Sequence, residues 1–130
     1  MSTRLLQAVC HGTLENLVFE TSGVESAAIV TGDGFEIASI LRNGISVEKL
    51  AAMVSSLLAL SEAVASEMGK DRCQYVIVDT ESGALVTLRI PANGHDLLMC
   101  VLCGDGVSLG SVLYATRESA RALARRLLPT

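Results

Sequence analysis

Two Gly-Asp-Gly triplets are the residues whose type and spacing first suggest chemistry in this sequence. Glycine amides at a helix N-terminus bind phosphate in nucleotide-binding proteins. Gly32-Asp33-Gly34 runs into a strand pattern over 35–41, so no helix N-terminus would meet an anion there. Gly104-Asp105-Gly106 is better placed, between a predicted strand and a predicted helix, but the Asp105 carboxylate would repel an anion. We therefore interpret both triplets as turns.

The cysteines are the second candidate for chemistry. Cys100 and Cys103 have CxxC spacing, but they lie in an apolar run that predicts a strand. Residues three apart on a strand point to opposite faces, so they would not share one metal ion. Cys10 and His11 are neighbours on a predicted helix and diverge by about 100°. The sequence therefore predicts no catalytic group, cofactor or metal site, and leaves a partly exposed Cys10 as the one mild redox candidate.

Composition narrows the class of protein. The chain has 130 residues, which favours one domain over 1–130, and a net charge of -4 with only 3% aromatic residues. Such a chain lacks the basic surface and stacking rings of a nucleic-acid binder. Residues 1–17 are too polar for a signal peptide, and no segment has the roughly 18 uninterrupted apolar residues of a membrane span. We expect a cytoplasmic protein with reduced thiols, no nucleic-acid partner and no membrane insertion.

Hydrophobic periodicity predicts eight elements in the order helix, two strands, helix, three strands, helix. Tyr75 to Val78 and Leu97 to Cys103 are apolar on both strand faces, so helices must cover both sides of the sheet. The fold class is therefore α/β, a three-layer α/β/α sandwich with a five-stranded antiparallel sheet. The predicted helices are Arg4–Glu20, a second helix after the N-cap Ser46 to about Met68, and Ser108–Leu128; the predicted strands are 24–31, 35–41, 72–79, 84–90 and 97–103.

Two features of this arrangement predict self-association. A meander leaves one of its outer strands at an edge of the sheet, and if that strand is the third, its apolar residues would attract another strand. The second helix is apolar over about half of its circumference, more than one sheet face can absorb. A two-fold partner, either a second copy or a paralogue, would cover both surfaces. The predicted dimer interface comprises Leu50, Val54, Leu57, Leu58 and Ser61 on the second helix, with Tyr75 and Ile77 on the third strand.

The sequence resembles the Roadblock type dynein light chain family across nearly its whole length. The resemblance is carried by Ser22 to Val30, Gly32 to Ser39 and Leu50 to Leu58, and by the helix start Gly110-Ser111-Val112. It implies a profilin-like topology with the second helix on one sheet face, and a dimer formed through that helix and the third strand. It also implies a dimeric adaptor or regulator that binds a small Ras-like GTPase, not an enzyme in its own right.

Candidate contacts with a GTPase follow from this resemblance and from exposure. Arg42 lies at the tip between the second strand and the second helix, and loops of this kind often carry recognition. Ser55, Ser56, Glu62 and Ser66 are polar positions of the second helix. They could form part of the surface that binds the GTPase, and they are interpreted equally well as ordinary polar surface. The arginines of the last helix form a solvated face or meet an acidic partner. A scaffold subunit that recruits a non-GTPase partner remains the alternative function, and a small-molecule sensor is a third.

Changing Leu57 or Leu58 to Asp is expected to give a monomer or an aggregate, because a buried carboxylate opposes association. Gel filtration measures this, and an unchanged dimer would contradict the interface.

Overall fold

The structure is a computed structural model that describes residues 1–127. Its eight elements have the predicted order. They are α1 (Thr3–Glu20), β1 (Val24–Thr31), β2 (Glu36–Ile40), α2 (Val47–Glu67), β3 (Val76–Thr80), β4 (Gly83–Arg89), β5 (Leu97–Gly104) and α3 (Leu109–Arg126). The predicted last helical residue, Leu128, lies outside the described residues.

The five strands form one antiparallel sheet in the order β2-β1-β5-β4-β3. β5 lies at its centre and pairs with β1 on one side and with β4 on the other. β3 pairs only with β4 within the described chain, so the third strand is the outer strand of the meander that lies at an edge. β2 forms the opposite edge.

The sheet separates two apolar cores, which confirms the three-layer class. On one face, Ile29 and Met99 pack with Leu14 of α1 and Leu123 of α3. On the other face, α2 packs on Ala28, Val30, Leu98 and Cys100 through Leu50, Ala51, Val54 and Leu58. Alternate residues of β1 and β5 therefore supply both cores, as expected for strands that are apolar on both faces.

The hairpin between β1 and β2 shows what the first Gly-Asp-Gly triplet does. The Gly34 amide donates to the Thr31 carbonyl at 3.0 Å, and the Thr31 hydroxyl donates to Asp33 at 2.6 Å. Gly34 has a φ of 95°, which a residue with a side chain adopts only under strain. The triplet is a turn, as predicted, and its glycine amides do not open a helix.

β3 begins four residues later than predicted, at Val76 and not at Arg72. The backbone amide of Cys73 donates to the Glu62 carboxylate of α2, and the Gln74 side chain accepts from Arg117 of α3. Side chains from two helices therefore hold this segment where the pattern alone predicted strand pairing. The N-cap of α2 is as predicted, because the Ser46 hydroxyl accepts from the Lys49 amide at 3.3 Å.

Gly83 provides a test of the strand geometry. Its φ is 152°, and an added Cβ would lie inside van der Waals contact with the Cys103 carbonyl oxygen. We expect Gly83→Ala to lower the free energy of unfolding by about 1–3 kcal/mol in urea denaturation followed by circular dichroism. Gly12→Ala is the matched control, because Gly12 lies in α1 with no neighbour within 4 Å. It should raise stability by up to about 1 kcal/mol; equal effects would contradict the geometry.

Candidate functional site

The exposed side of α2 carries a continuous apolar stripe. Met53, Leu60, Val64 and Met68 are 62%, 65%, 50% and 61% exposed, and Leu57 lies between them half-buried. Their spacing of three and four residues places them along one side of the helix. We call Met53, Leu57, Leu60, Val64 and Met68 the α2 stripe. Monomeric proteins seldom leave so large a contiguous apolar surface in water, so this one indicates an interface.

The α2 stripe continues into the unpaired edge of β3. A groove of about 500 Å³ lies between the C-terminal half of α2 and the residues entering β3. Val64 and Met68 form one wall, and Tyr75 and Val76 form the other. The outer backbone groups of β3 have no strand partner in the described chain, so they are open to a further strand.

α2 covers only part of its own sheet face. Leu85 and Leu102 are partly buried, and Val78 is 41% exposed. With Ile45 they line an open depression of about 360 Å³ on this face. The apolar surface of the sheet therefore extends beyond the reach of one helix.

By length and apolar composition α2 would also suit a membrane span. However, Leu50, Ala51, Val54, Leu58 and Ala65 are buried in the folded chain. α2 is thus an integral part of the sandwich with one side left uncovered.

The structure separates the predicted dimer residues into two groups. Leu50, Val54 and Leu58 are 9%, 2% and 2% exposed and pack on the sheet of their own chain. These three residues contact the sheet of their own chain, and their intersubunit contact stays a prediction. Ile77 is also partly buried and packs on the core at the opposite sheet face.

The other predicted dimer residues lie at the surface. Leu57, Ser61 and Tyr75 border the α2 stripe or the groove beside β3. Sequence reasoning did not include Met53, Leu60, Val64 and Met68 in the interface. Their spacing was visible in the sequence, but it does not tell which side of an apolar helix faces the sheet.

The predicted GTPase contacts do not form one cluster. Ser56 and Ser66 are exposed on α2, whereas the Ser55 side chain lies beside Gly34 of the β1–β2 turn. Arg42 is exposed near the start of β1, where its amide donates to the Ser26 hydroxyl at 3.0 Å. Arg42 is therefore on a different part of the surface from Ser66.

Glu62 has partners within the chain. Its carboxylate accepts from the Cys73 amide and lies 3.5 Å from the Arg72 Nε and 4.0 Å from an Arg89 nitrogen. These contacts tie the middle of α2 to the segment before β3 and to the end of β4. The structure thus gives Glu62 a positioning role at the groove.

Arg117 of α3 also braces the start of β3. Its guanidinium donates to the Gln74 side chain at 2.7 Å and lies 4.9 Å from the centroid of the Tyr75 ring. That distance is within the range of a cation–π contact. Of the last helix's arginines, this one is placed beside the exposed edge.

The cysteines do not form a reactive centre. Cys100 and Cys103 belong to cores on opposite sheet faces, as predicted. Burial raises the pKa of Cys10 to about 11, of Cys100 to about 12, and also that of Cys103 above its ordinary value. Cys10 is fully buried, which corrects the expectation of a partly exposed thiol. Within residues 1–127, no three His, Cys, Asp or Glu side chains are grouped to hold a metal ion.

Sequence comparison places this chain in a family. The Roadblock/LC7 domain matches residues 11–103, and the chain belongs to this family. A relative from Methanocaldococcus jannaschii, the uncharacterized protein MJ0714, is 31% identical over 100 residues, covering 77% of this chain and 81% of the relative.

Solved structures confirm the fold. MglB in a tetrameric arrangement is 24% identical, with 94% of this chain and 89% of that chain covered and a TM-score of 0.80. The gliding protein MglB of Thermus thermophilus is 22% identical over 93% and 90% of the chains, also with a TM-score of 0.80. Acanthamoeba castellanii profilin II is 16% identical over 90% and 98%, with a TM-score of 0.64. The profilin-like topology implied by the resemblance is thus confirmed.

The buried thiols predict a decline of stability at alkaline pH. A thiol with a raised folded-state pKa contributes its full stability below the ordinary value of 9.0 and loses it as the pH rises. We expect the urea midpoint to fall from about pH 9 upward. In Cys100→Ala the decline should be shallower, by up to about 1.4 kcal/mol per pH unit. Parallel declines in both proteins would contradict the burial of this thiol.

Proposed function

We propose that this chain forms a two-fold dimer that binds a small Ras-like GTPase and modulates its GTP hydrolysis or its localisation. Membership of the Roadblock/LC7 family supports the GTPase partner, because the family resemblance implies that role. The observation that carries the proposal is the continuity of the α2 stripe with the unpaired edge of β3.

Dimerisation is supported by the apolar surface of the α2 stripe and the unpaired edge of β3, which one chain leaves exposed. A two-fold operation would bring two copies of the α2 stripe together and pair β3 with β3. One interface would therefore cover both the stripe and the strand edge. Burying a large apolar side chain fully contributes about 1.5–3 kcal/mol. The exposed Met53, Leu60, Val64 and Met68 are only partly in contact with their own chain, so two copies supply a driving force of several kcal/mol. MglB, which shares the fold, is itself known in a tetrameric arrangement.

The GTPase would meet a platform and not an active site. Ser56 and Ser66 lie on the solvent side of α2 and would stand on either side of the dimer axis. Glu62, on the same helix, is engaged in a structural contact with Arg72. The protein would then act on GTP hydrolysis only through groups of the bound GTPase. The four free cysteines fit a reducing compartment such as the cytoplasm.

A structural scaffold is the second candidate, favoured by a separate apolar feature. Phe19 at the end of α1 is 92% exposed and borders a depression of about 490 Å³ with Val18 and Ile40. This feature adjoins β2, the sheet edge opposite β3. A dimer joined through β3 would keep it free for a non-GTPase partner.

The test compares two aspartates on adjacent positions of α2. Leu60→Asp places a charge in the α2 stripe, whereas Ala59→Asp places the same charge on an exposed neighbouring position. We expect Leu60→Asp to be a folded monomer and Ala59→Asp to stay dimeric, measured by light scattering after gel filtration. Leu58→Asp is less informative, because Leu58 is a core residue of its own chain.

The same proteins test the GTPase partner. Tagged wild-type protein should recover a small GTPase. Wild type and Ala59→Asp should then change either the rate of single-turnover GTP hydrolysis or the localisation of that GTPase, whereas Leu60→Asp should change neither. A dimer that recovers no GTPase in either nucleotide state would favour the scaffold. A monomeric wild type would contradict both.

A further inference from the structure

The two ends of β3 carry opposite charges. Before the strand, Arg72 is exposed, and Arg117 of α3 reaches the same place by packing on Tyr75. At the other end, Asp79 and Glu81 are both exposed. A short edge strand, Val76–Thr80, therefore separates a basic end from an acidic end.

The basic end has positive charge in excess. Within residues 1–127, the ion pairs of the folded chain do not include Arg117, which contacts the neutral Gln74 and Tyr75. Arg72 lies 3.5 Å from Glu62, which it shares with Arg89, and its side chain is still 74% exposed. Lys70 and Asp71, both exposed, offset one another.

The acidic end of β3 carries more than one carboxylate. Burial raises the pKa of the Cys103 thiol, and the negative charges of Glu25 and Asp79 add to that effect. Asp79 pairs with Ala84 of β4, and Ala84 pairs with Cys103 of β5, whereas Glu25 belongs to β1 on the far side of β5. Glu81, in the β3–β4 turn, lies two residues beyond Asp79 and adds a further carboxylate.

Antiparallel pairing of two β3 strands would bring the unlike ends together. Tyr75, Ile77 and Asp79 alternate with Val76 and Val78, and strand partners must present the same face. Two registers meet this condition. In the first, Ile77 lies on the two-fold axis, and Tyr75 opposes Asp79 of the second copy. With Val78 on the axis, Tyr75 opposes Glu81. In both registers Arg117, stacked on Tyr75, faces a carboxylate.

We propose that β3 is complementary in charge to itself, with Arg72 and Arg117 of one copy facing Asp79 and Glu81 of the other. This inference rests on the proposed dimer and adds the charged residues that would pair across it. A parallel arrangement would place like charges side by side. A two-fold axis doubles every contact, so each favourable pair occurs twice.

Charge reversal tests the pairing. One variant combines Arg72→Glu with Arg117→Glu, and the other combines Asp79→Lys with Glu81→Lys. Each alone faces like charges at both ends of β3, so its dimer dissociation constant should rise at least about tenfold. An equimolar mixture should form mixed dimers near wild-type affinity, because unlike charges again oppose one another. Native mass spectrometry of differently tagged chains measures all three species.

Controls separate this inference from the dimer itself. Arg4→Glu with Arg125→Glu makes the same change of net charge as Arg72→Glu with Arg117→Glu, but at exposed positions on α1 and α3, and should leave the dissociation constant unchanged. Circular dichroism checks that every variant is folded. If wild type is dimeric but both β3 variants dimerise equally well, or their mixture gives no mixed dimer, the charge pairing is overturned and the proposed dimer stands. A monomeric wild type overturns the dimer.

Discussion

The apolar circumference of α2 exceeds what one face of a five-stranded sheet can bury, and most features of the surface depend on this excess. Leu50, Val54 and Leu58 anchor the helix to β1 and β5. The next side of the same helix leaves Leu60 and Val64 in water. The free energy gained by hydrophobic burial is roughly proportional to the apolar area removed from water. Covering this side of α2 with a partner therefore favours association.

The edge strand beside α2 limits the orientation in which a partner can bind. Apolar surfaces alone associate in many orientations, whereas backbone pairing at β3 limits the arrangement to strand addition. Glu62 and Arg117 matter here because they hold the segment before β3 against α2 and α3. The groove is therefore shaped by contacts that connect three elements, and the functional surface is a matter of geometry more than of reactive groups.

The sequence predicted the order of elements and the three layers, because periodicity and turn residues report local structure and burial. It predicted the α2 surface less well. Met53 and Leu60 have the same apolar character as Val54 and Leu58, and only the packed sheet distinguishes the buried set from the exposed set. The late start of β3 was missed for a related reason, since the bond from the Cys73 amide to Glu62 joins residues far apart in the sequence.

Hydrogen exchange of the peptide covering Val76–Thr80, followed across a dilution series together with sedimentation equilibrium, distinguishes a dimer paired through β3 from a monomer. We expect a particle of about twice 13.6 kDa at high concentration, with the β3 and α2 amides protected, and faster exchange of both as dilution releases the monomer. A particle of 13.6 kDa at every concentration, with β3 exchange independent of dilution, would contradict this dimer.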